Sequence, residues 1–176
     1  MLNRPEAFRI AQEAAREYGG EDVQVHDEYA QELSNGWFFP FITKLVGSHG
    51  VIVKKQSGKC FGLGSAFPVD RDLRAYEAGF ESHVYDIRLT KVQDRDDTLD
   101  FLHDLEISVI EPEFAHGVTW RIPRILSREE LGESLEDLPH TFQNVVVYFL
   151  FERIEQARSS GCCEFELIET QSDTEA

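Results

Sequence analysis

The chain has 176 residues, of which 41% are hydrophobic, and its formal net charge is −16. This is enough apolar material for one substantial core or for two small, closely packed ones. The longest apolar run, at 145–151, is far too short to span a membrane, and the first ten residues lack the apolar core of a signal peptide. We therefore expect a soluble, cytoplasmic protein without a membrane partner.

The negative charge is concentrated in the second half of the chain. Residues 1–80 contain nine Lys/Arg and eleven Asp/Glu, whereas residues 81–176 contain eight and twenty-two. An acidic surface repels phosphate backbones, which argues against a nucleic-acid partner. The same surface attracts basic proteins and accelerates their association. The alternative interpretation is a solvated surface that serves solubility alone.

The first half predicts a helix packed on an antiparallel β-meander. Asn3 and Glu6 form the pattern of a capping box, and apolar residues then recur at helical spacing until the glycine pair at 19–20. Two runs rich in aromatic and β-branched residues follow within residues 35–65, and a glycine-containing connector at 46–50 joins them. Such a helix needs a sheet to cover its apolar face.

The second half predicts a further unit in the order β-α-β-β-α-β. Its predicted elements are a strand at 84–92, a helix capped by Asp94, strands at 107–110 and 118–122, a helix opened by a capping box of Ser127 and Glu130, and a strand at 164–169. The segment at 145–151 favours a strand by residue type. Apolar residues between 142 and 154 are nevertheless spaced as one face of a helix continuing to Arg158, and we favour the helix.

These elements predict an α+β fold in which an N-terminal helix packs on an antiparallel meander and a second unit follows. We expect the first unit at 1–80, the acidic unit at 81–170 and a flexible tail at 171–176.

No sequence motif predicts a cofactor or a metal site. Gly62 and Gly64 follow a strand, but Phe67 stands where a dinucleotide-binding loop needs its third glycine. The three cysteines, Cys60 and the adjacent pair at 162–163, lack metal-ligand spacing, so we expect free thiols in a reducing compartment. A redox role for the adjacent pair is the alternative.

One combination of residues suggests acid–base chemistry. His116 lies close in sequence to Glu111 and Glu113, and an imidazole beside a carboxylate suits a general base or a metal ligand. Gly117 and the strand pattern after it favour a loop here, where such spacing means little. We do not predict an enzyme, and we keep an enzyme of unfamiliar type using His116 and Glu113 as an alternative.

Consecutive aromatic residues provide candidate anchors for a protein partner. In an extended segment at least one of Trp37, Phe38 and Phe39 points away from the core, and an outward ring is a typical interface anchor. The alternative is that helices cover both faces of the sheet and bury all three rings. In the second unit, Trp120 is predicted to point into the core.

A family resemblance covers the first half of the chain. The residues that carry it are Trp37 and Phe39 in the aromatic strand, Gly47 in the connector, the strand Val51-Ile52-Val53-Lys54, the turn Ser57-Gly58, and Leu63-Gly64-Ser65. In this order they resemble the immunity protein 35 family, and the second half lies outside the pattern. The resemblance implies a non-enzymatic bacterial protein that binds and neutralises a cognate toxin.

On this hypothesis the partner is a basic toxin domain, and an acidic inhibitor associates with it quickly. The predicted partner-binding residues are Trp37 and Phe38 in the first unit, and Asp96, Asp97, Asp100, Glu129, Glu133 and Glu136 in the second. A chaperone-like or regulatory protein-binding module without a toxin partner is the alternative function. The oligomeric state is left open by the sequence.

Overall fold

The computed structural model shows an α+β protein, which confirms the predicted fold class. It describes residues 1–20, 23–42 and 47–170. Within these residues there are five α-helices and nine strands, and every strand pair is antiparallel. No helix in this part of the chain is long and apolar enough to cross a membrane.

The chain divides into two compact units, Met1–Glu81 and Ser82–Ala176. The sequence places the boundary between residues 80 and 81. Residue 46 of the predicted connector and the whole of the predicted tail at 171–176 lie outside the described residues.

The first unit packs a helix against one face of a four-stranded sheet. Its elements are α1 (Arg4–Gly19), β1 (Gln31–Glu32), β2 (Gly36–Pro40), β3 (Ser48–Lys54), β4 (Cys60–Gly64) and α2 (Val69–Glu77), with the strands in the order β1-β2-β3-β4. The Asn3 side chain accepts a hydrogen bond from the Glu6 N–H, and the Glu6 carboxylate accepts one from the Asn3 N–H, which confirms the capping box. The alanines of α1 pack on Phe39, Val51 and Val53.

The second unit contains a three-stranded sheet, a separate hairpin and three α-helices within the described residues. Its elements are β5 (Val84–Val92), α3 (Arg95–Asp104), β6 (Ser108–Ala115), β7 (Val118–Ile125), α4 (Arg128–Ser134), β8 (His140–Val146), a 3₁₀ turn (Tyr148–Leu150), α5 (Phe151–Ser160) and β9 (Cys163–Glu169). The central strand β5 lies between β8 and β9. Ile87, Leu89 and Leu102 are fully buried in the core.

The segment at 145–151 changes structure along its length, so the helix predicted through it is wrong. Strand β8 continues to Val146, and α5 begins only at Phe151. Val145 is buried and paired with Tyr85 of β5. The β-branched residues therefore follow their strand preference because a partner strand is available.

The predicted burial of Trp120 is also wrong, since this residue is 56% exposed. Strands β6 and β7 pair with each other and lie outside the β8-β5-β9 sheet. Every residue of β7 except Arg124 is exposed. A strand that joins no larger sheet has no core to face, so its apolar residues stay at the surface.

Candidate functional site

The aromatic residues predicted as anchors in the first unit are not free surface rings. Phe38 is buried at 2% exposure. Trp37 is half-buried, its indole N–H donates a hydrogen bond to the Leu2 carbonyl at 3.4 Å, and the Lys55 ammonium lies 5.3 Å from its ring centroid. Phe38 therefore has no surface to offer a partner, and Trp37 is already in contact with its own unit.

The residues of the acid–base alternative lie on the hairpin. His116 is exposed in the two-residue turn at its tip, with a backbone φ of 53°. Glu111 is hydrogen-bonded to Arg124 at 2.7 Å, and Glu113 is exposed on β6. A general base works best in an enclosed site, and the exposed turn does not enclose His116. Among the described residues no group of histidine, cysteine and carboxylate side chains is arranged to hold a metal ion.

The adjacent cysteines are buried in the second unit. Cys162 and Cys163 are free thiols whose Sγ atoms lie 3.8 Å apart. Burial, together with the neighbouring Cys162 thiol, raises the pKa of Cys163 to about 12. Since the thiolate is the reactive form, this pair has the character of buried structural cysteines.

The six predicted carboxylates lie on α3, on α4 and just beyond the C-terminus of α4, and we call them the acidic helix surface. Three of them form ion pairs with arginines, and the other three form none with any described residue. Arg128 pairs with Asp96 and Asp100, and Arg95 pairs with Glu136 at 2.9 Å. These three carboxylates form the paired set.

Asp97, Glu129 and Glu133 form the contact set. All three are exposed, and none has an ion-pair partner in the described part of the chain. Glu129 and Glu133 are four residues apart on α4 and therefore project from the same side of the helix. The contact set therefore presents three carboxylates at the surface that are not held in ion pairs with described residues.

The β6–β7 hairpin presents a second surface, which the sequence did not predict. Residues directly opposite each other in an antiparallel pair share a face, and alternate residues along a strand share it too. Trp120 is opposite Glu113, and Ile122 is opposite Glu111. These four residues together with Val118 form what we call the Trp120 face, and every one of them is exposed.

Arg124 connects the base of the Trp120 face to α4. Its guanidinium donates to Glu111 at 2.7 Å and makes two hydrogen bonds, of 2.7 and 2.9 Å, to the two carboxylate oxygens of Glu130. Glu130 also completes the predicted capping box with Ser127. Hydrogen bonds from Arg124, and then from Ser127, lower the pKa of Glu130 to about 2. The hairpin is therefore held at its base beside the acidic helix surface.

Each edge of the hairpin is interrupted by a proline. The Leu126 N–H donates a hydrogen bond to the Ile107 carbonyl, and this bond fixes the pattern along the hairpin. The backbone N–H groups of odd-numbered β6 residues point toward β7, and those of even-numbered residues point away from it, toward the open edge. Pro112 occupies a position of β6 whose N–H would point toward the open edge, and Pro123, opposite Ile110, occupies such a position in β7. Because proline has no N–H, each edge lacks a donor near its middle, which hinders the addition of another strand.

The missed surface had a signal in the sequence. Prolines within strands are largely confined to sheet edges, and Pro112 and Pro123 lie in two neighbouring strands. Two edge strands joined by a two-residue turn make an isolated hairpin. The alternation of Val118, Trp120 and Ile122 indicates a common face, but it does not say whether that face meets a core.

Comparisons with known proteins found no match to this chain. No protein-family model, curated protein or solved structure matches the chain. The interpretation of function therefore depends on the geometry and charge of the two surfaces.

Proposed function

We propose that this chain is a non-enzymatic, immunity-type protein that binds and neutralises a basic toxin domain through its second unit. The observation that supports this most strongly is the contact set, three exposed carboxylates that form no ion pair with any described residue. The charge around them has the same sign, since residues 82–170 contain eight Lys/Arg and nineteen Asp/Glu. A basic protein is the partner whose charge complements such a surface.

The two sets of carboxylates have different roles in this proposal. All six contribute to the long-range field that steers a basic partner toward the chain. At a carboxylate of the paired set, Arg95 or Arg128 competes with a partner's cation, whereas the contact set has no ion pair with a described residue to compete. We therefore assign direct contacts to Asp97, Glu129 and Glu133.

The test begins with a pull-down from the native host, in which recovery of one stoichiometric basic protein is expected. Two triple variants that each remove three charges are then compared by surface plasmon resonance. The variant D97N/E129Q/E133Q removes the contact set, and D96N/D100N/E136Q removes the paired set.

Both variants are expected to slow association to a similar extent, about three- to tenfold at low ionic strength, because steering depends on total charge. Only the contact-set variant is expected to accelerate dissociation, since only it removes bonds made in the complex. Association that is unchanged for both variants at low salt refutes steering by this surface. Equal acceleration of dissociation in both refutes the assignment of contacts.

The exposed hairpin favours a second candidate function. A chaperone-like module binds apolar segments of many unfolded proteins, and exposed apolar surface such as Phe114 and Ile110 suits that role. In the pull-down this function predicts many unfolded clients in place of one folded protein. It also predicts that the chain suppresses aggregation of an unrelated protein during heating, and that salt does not weaken the effect.

A further inference from the structure

We infer that the Trp120 face binds an arginine side chain of the basic partner, with the guanidinium stacked on the Trp120 indole and bonded to the Glu113 carboxylate. This rests on the proposed function, because it supplies the recognition element of the same partner. It concerns a surface distinct from the contact set and makes no use of Asp97, Glu129 or Glu133.

The pairing of β6 with β7 places the Trp120 ring and the Glu113 carboxylate side by side on one face of the hairpin. Trp120 and Glu113 are direct partners in the register of β6 and β7, so their side chains leave the hairpin on one face. Trp120 is 56% exposed, and Glu113 has no ion-pair partner within the described residues. Val118 and Ile122 border the indole on either side along β7 and are also exposed.

The chain's own arginines on this hairpin do not occupy that position. Arg124 shares the face but is held at its base by Glu111 and Glu130. Arg121 is the neighbour of Trp120 along β7 and therefore lies on the opposite face, across from Pro112. The ring and the carboxylate are thus open to a cation from another molecule.

Arginine fits this pair better than lysine does. A guanidinium is planar, stacks on an aromatic face and is more weakly hydrated than an ammonium group. It also presents paired N–H donors that match the two oxygens of a carboxylate. A basic protein carries such side chains at its surface, so the chemistry of the site and the charge of the second unit select the same kind of partner.

A second copy of this chain is a poorer occupant for two reasons. Two copies each carry a net charge of −16 and repel one another. Strand addition between hairpins is also hindered, because Pro112 and Pro123 remove an outward N–H from each edge. The Trp120 face is therefore expected to be recognised through its side chains.

The experiment is an NMR titration of the full chain labelled with ¹⁵N. The chain has two tryptophans, Trp37 and Trp120, and hence two indole N–H signals, which the W120F variant assigns. The probe is the capped peptide acetyl-Leu-Arg-Leu-amide. Matched peptides carry citrulline, which has the shape of arginine without its charge, or lysine in the central position.

The arginine peptide is expected to shift the Trp120 indole signal saturably and to leave the Trp37 signal in place. Citrulline should abolish the shift, and lysine should weaken binding about threefold. The variant E113Q should weaken binding by about threefold or more, whereas E28Q, which makes the same chemical change at an exposed glutamate of the first unit, should alter it less than about twofold at physiological salt. W120F should weaken binding about two- to fivefold, followed through the backbone amide of residue 120, and amide spectra establish that each variant is folded.

Three other results overturn the inference, and they are distinguishable from failure of the proposed function. Equal shifts with arginine and citrulline exclude recognition of the cation. Equal effects of E113Q and E28Q exclude the ring–carboxylate site. A Trp120 signal that moves with protein concentration alone identifies a second copy as the occupant. The proposed function fails separately, if the contact-set variant leaves the kinetics of the captured partner unchanged.

Discussion

Replacement of Gly50 by alanine is expected to destabilise the first unit severely, because the backbone of the neighbouring strand leaves no room for a methyl group. Gly50 lies in β3 opposite Pro40. A Cβ atom at this position would be 2.4 Å from the Phe39 carbonyl oxygen and 2.7 Å from Cε2 of the Phe38 ring. The first of these atoms belongs to the main chain of a paired strand, so it cannot rotate away.

The magnitude follows from the size of the clash. Real Cβ contacts essentially never fall below 3.0 Å, so β2 and β3 must separate by about 0.6 Å at a point where they are hydrogen-bonded. Overpacking of this kind costs about 1–3 kcal/mol, and the rigidity of the main chain places Gly50→Ala at the upper end. For a unit of this size that corresponds to a fall in Tm of roughly 10–20 °C.

Gly62→Ala is the matched control, since Gly62 lies in the adjacent strand β4 opposite Val51. A Cβ at Gly62 would meet only the ring of Tyr18, at 3.4 Å, and Tyr18 is largely exposed and able to move. Its free energy of unfolding should therefore stay within about 0.5 kcal/mol of the wild-type value. Urea unfolding followed by tryptophan fluorescence, in a W120F background where Trp37 is the one tryptophan left, measures both variants. Equal midpoints for Gly50→Ala and the wild type, or an equal loss in Gly62→Ala, would refute the reasoning.

Three further predictions concern the second unit. Glu130→Gln should make the free energy of unfolding depend less on pH at acid pH. The pKa of Glu130 is lowered to about 2 in the folded chain, so the stabilisation by its carboxylate is present above its ordinary pKa and is lost as pH falls from about 4.5 toward 2. Circular dichroism at a series of pH values tests this, and parallel curves would contradict it. Pro123→Thr should restore an outward N–H on β7 and raise the average mass in sedimentation through edge pairing; an unchanged mass would count against the edge argument. Cys163, with a pKa of about 12, should resist iodoacetamide at pH 8 in the folded chain and react quickly in urea, and rapid labelling without urea would disprove its burial.

The helix starts were predictable from the sequence because their signals are local. Asn3, Asp94 and Ser127 each accept a hydrogen bond from an N–H three residues later, so the cap and the groups it satisfies lie within one turn. The residues that make each cap are therefore neighbours in the sequence. The predicted order of elements in the second unit was right as far as α4, since caps mark its two helices and alternation of residue types marks β5.

Strand β8 and the exposure of Trp120 depend on distant parts of the chain and were not predictable in this way. Val145 is in a strand because Tyr85, sixty residues earlier, provides a pairing partner. Trp120 is exposed because β7 does not join the β5 sheet, which its own alternation does not determine. Membership of a sheet is a property of the whole unit.

The sequence was sufficient to predict the acidic helix surface as a group of six carboxylates, but not its division into the paired set and the contact set. Sequence gives the positions of Asp96 and Asp97 on α3, yet only the fold brings Arg128 to the first of them and leaves the second without an ion pair in the described chain. The distinction matters for the proposed function, in which all six carboxylates contribute to the field but only the contact set bonds to the partner. Tertiary placement of two arginines, Arg95 and Arg128, determines it.

The exposure of the β6–β7 hairpin affects how the sequence of this protein can evolve. Its side chains are exposed on both faces and contribute little to the β8-β5-β9 core, so substitutions between its two ends cost little folding free energy. The Arg124 contacts keep the base in place while the outer residues vary. If the hairpin recognises a partner as we propose, recognition and stability depend on different residues, and a new partner can be acquired by substitutions in the hairpin that leave the β8-β5-β9 core unchanged.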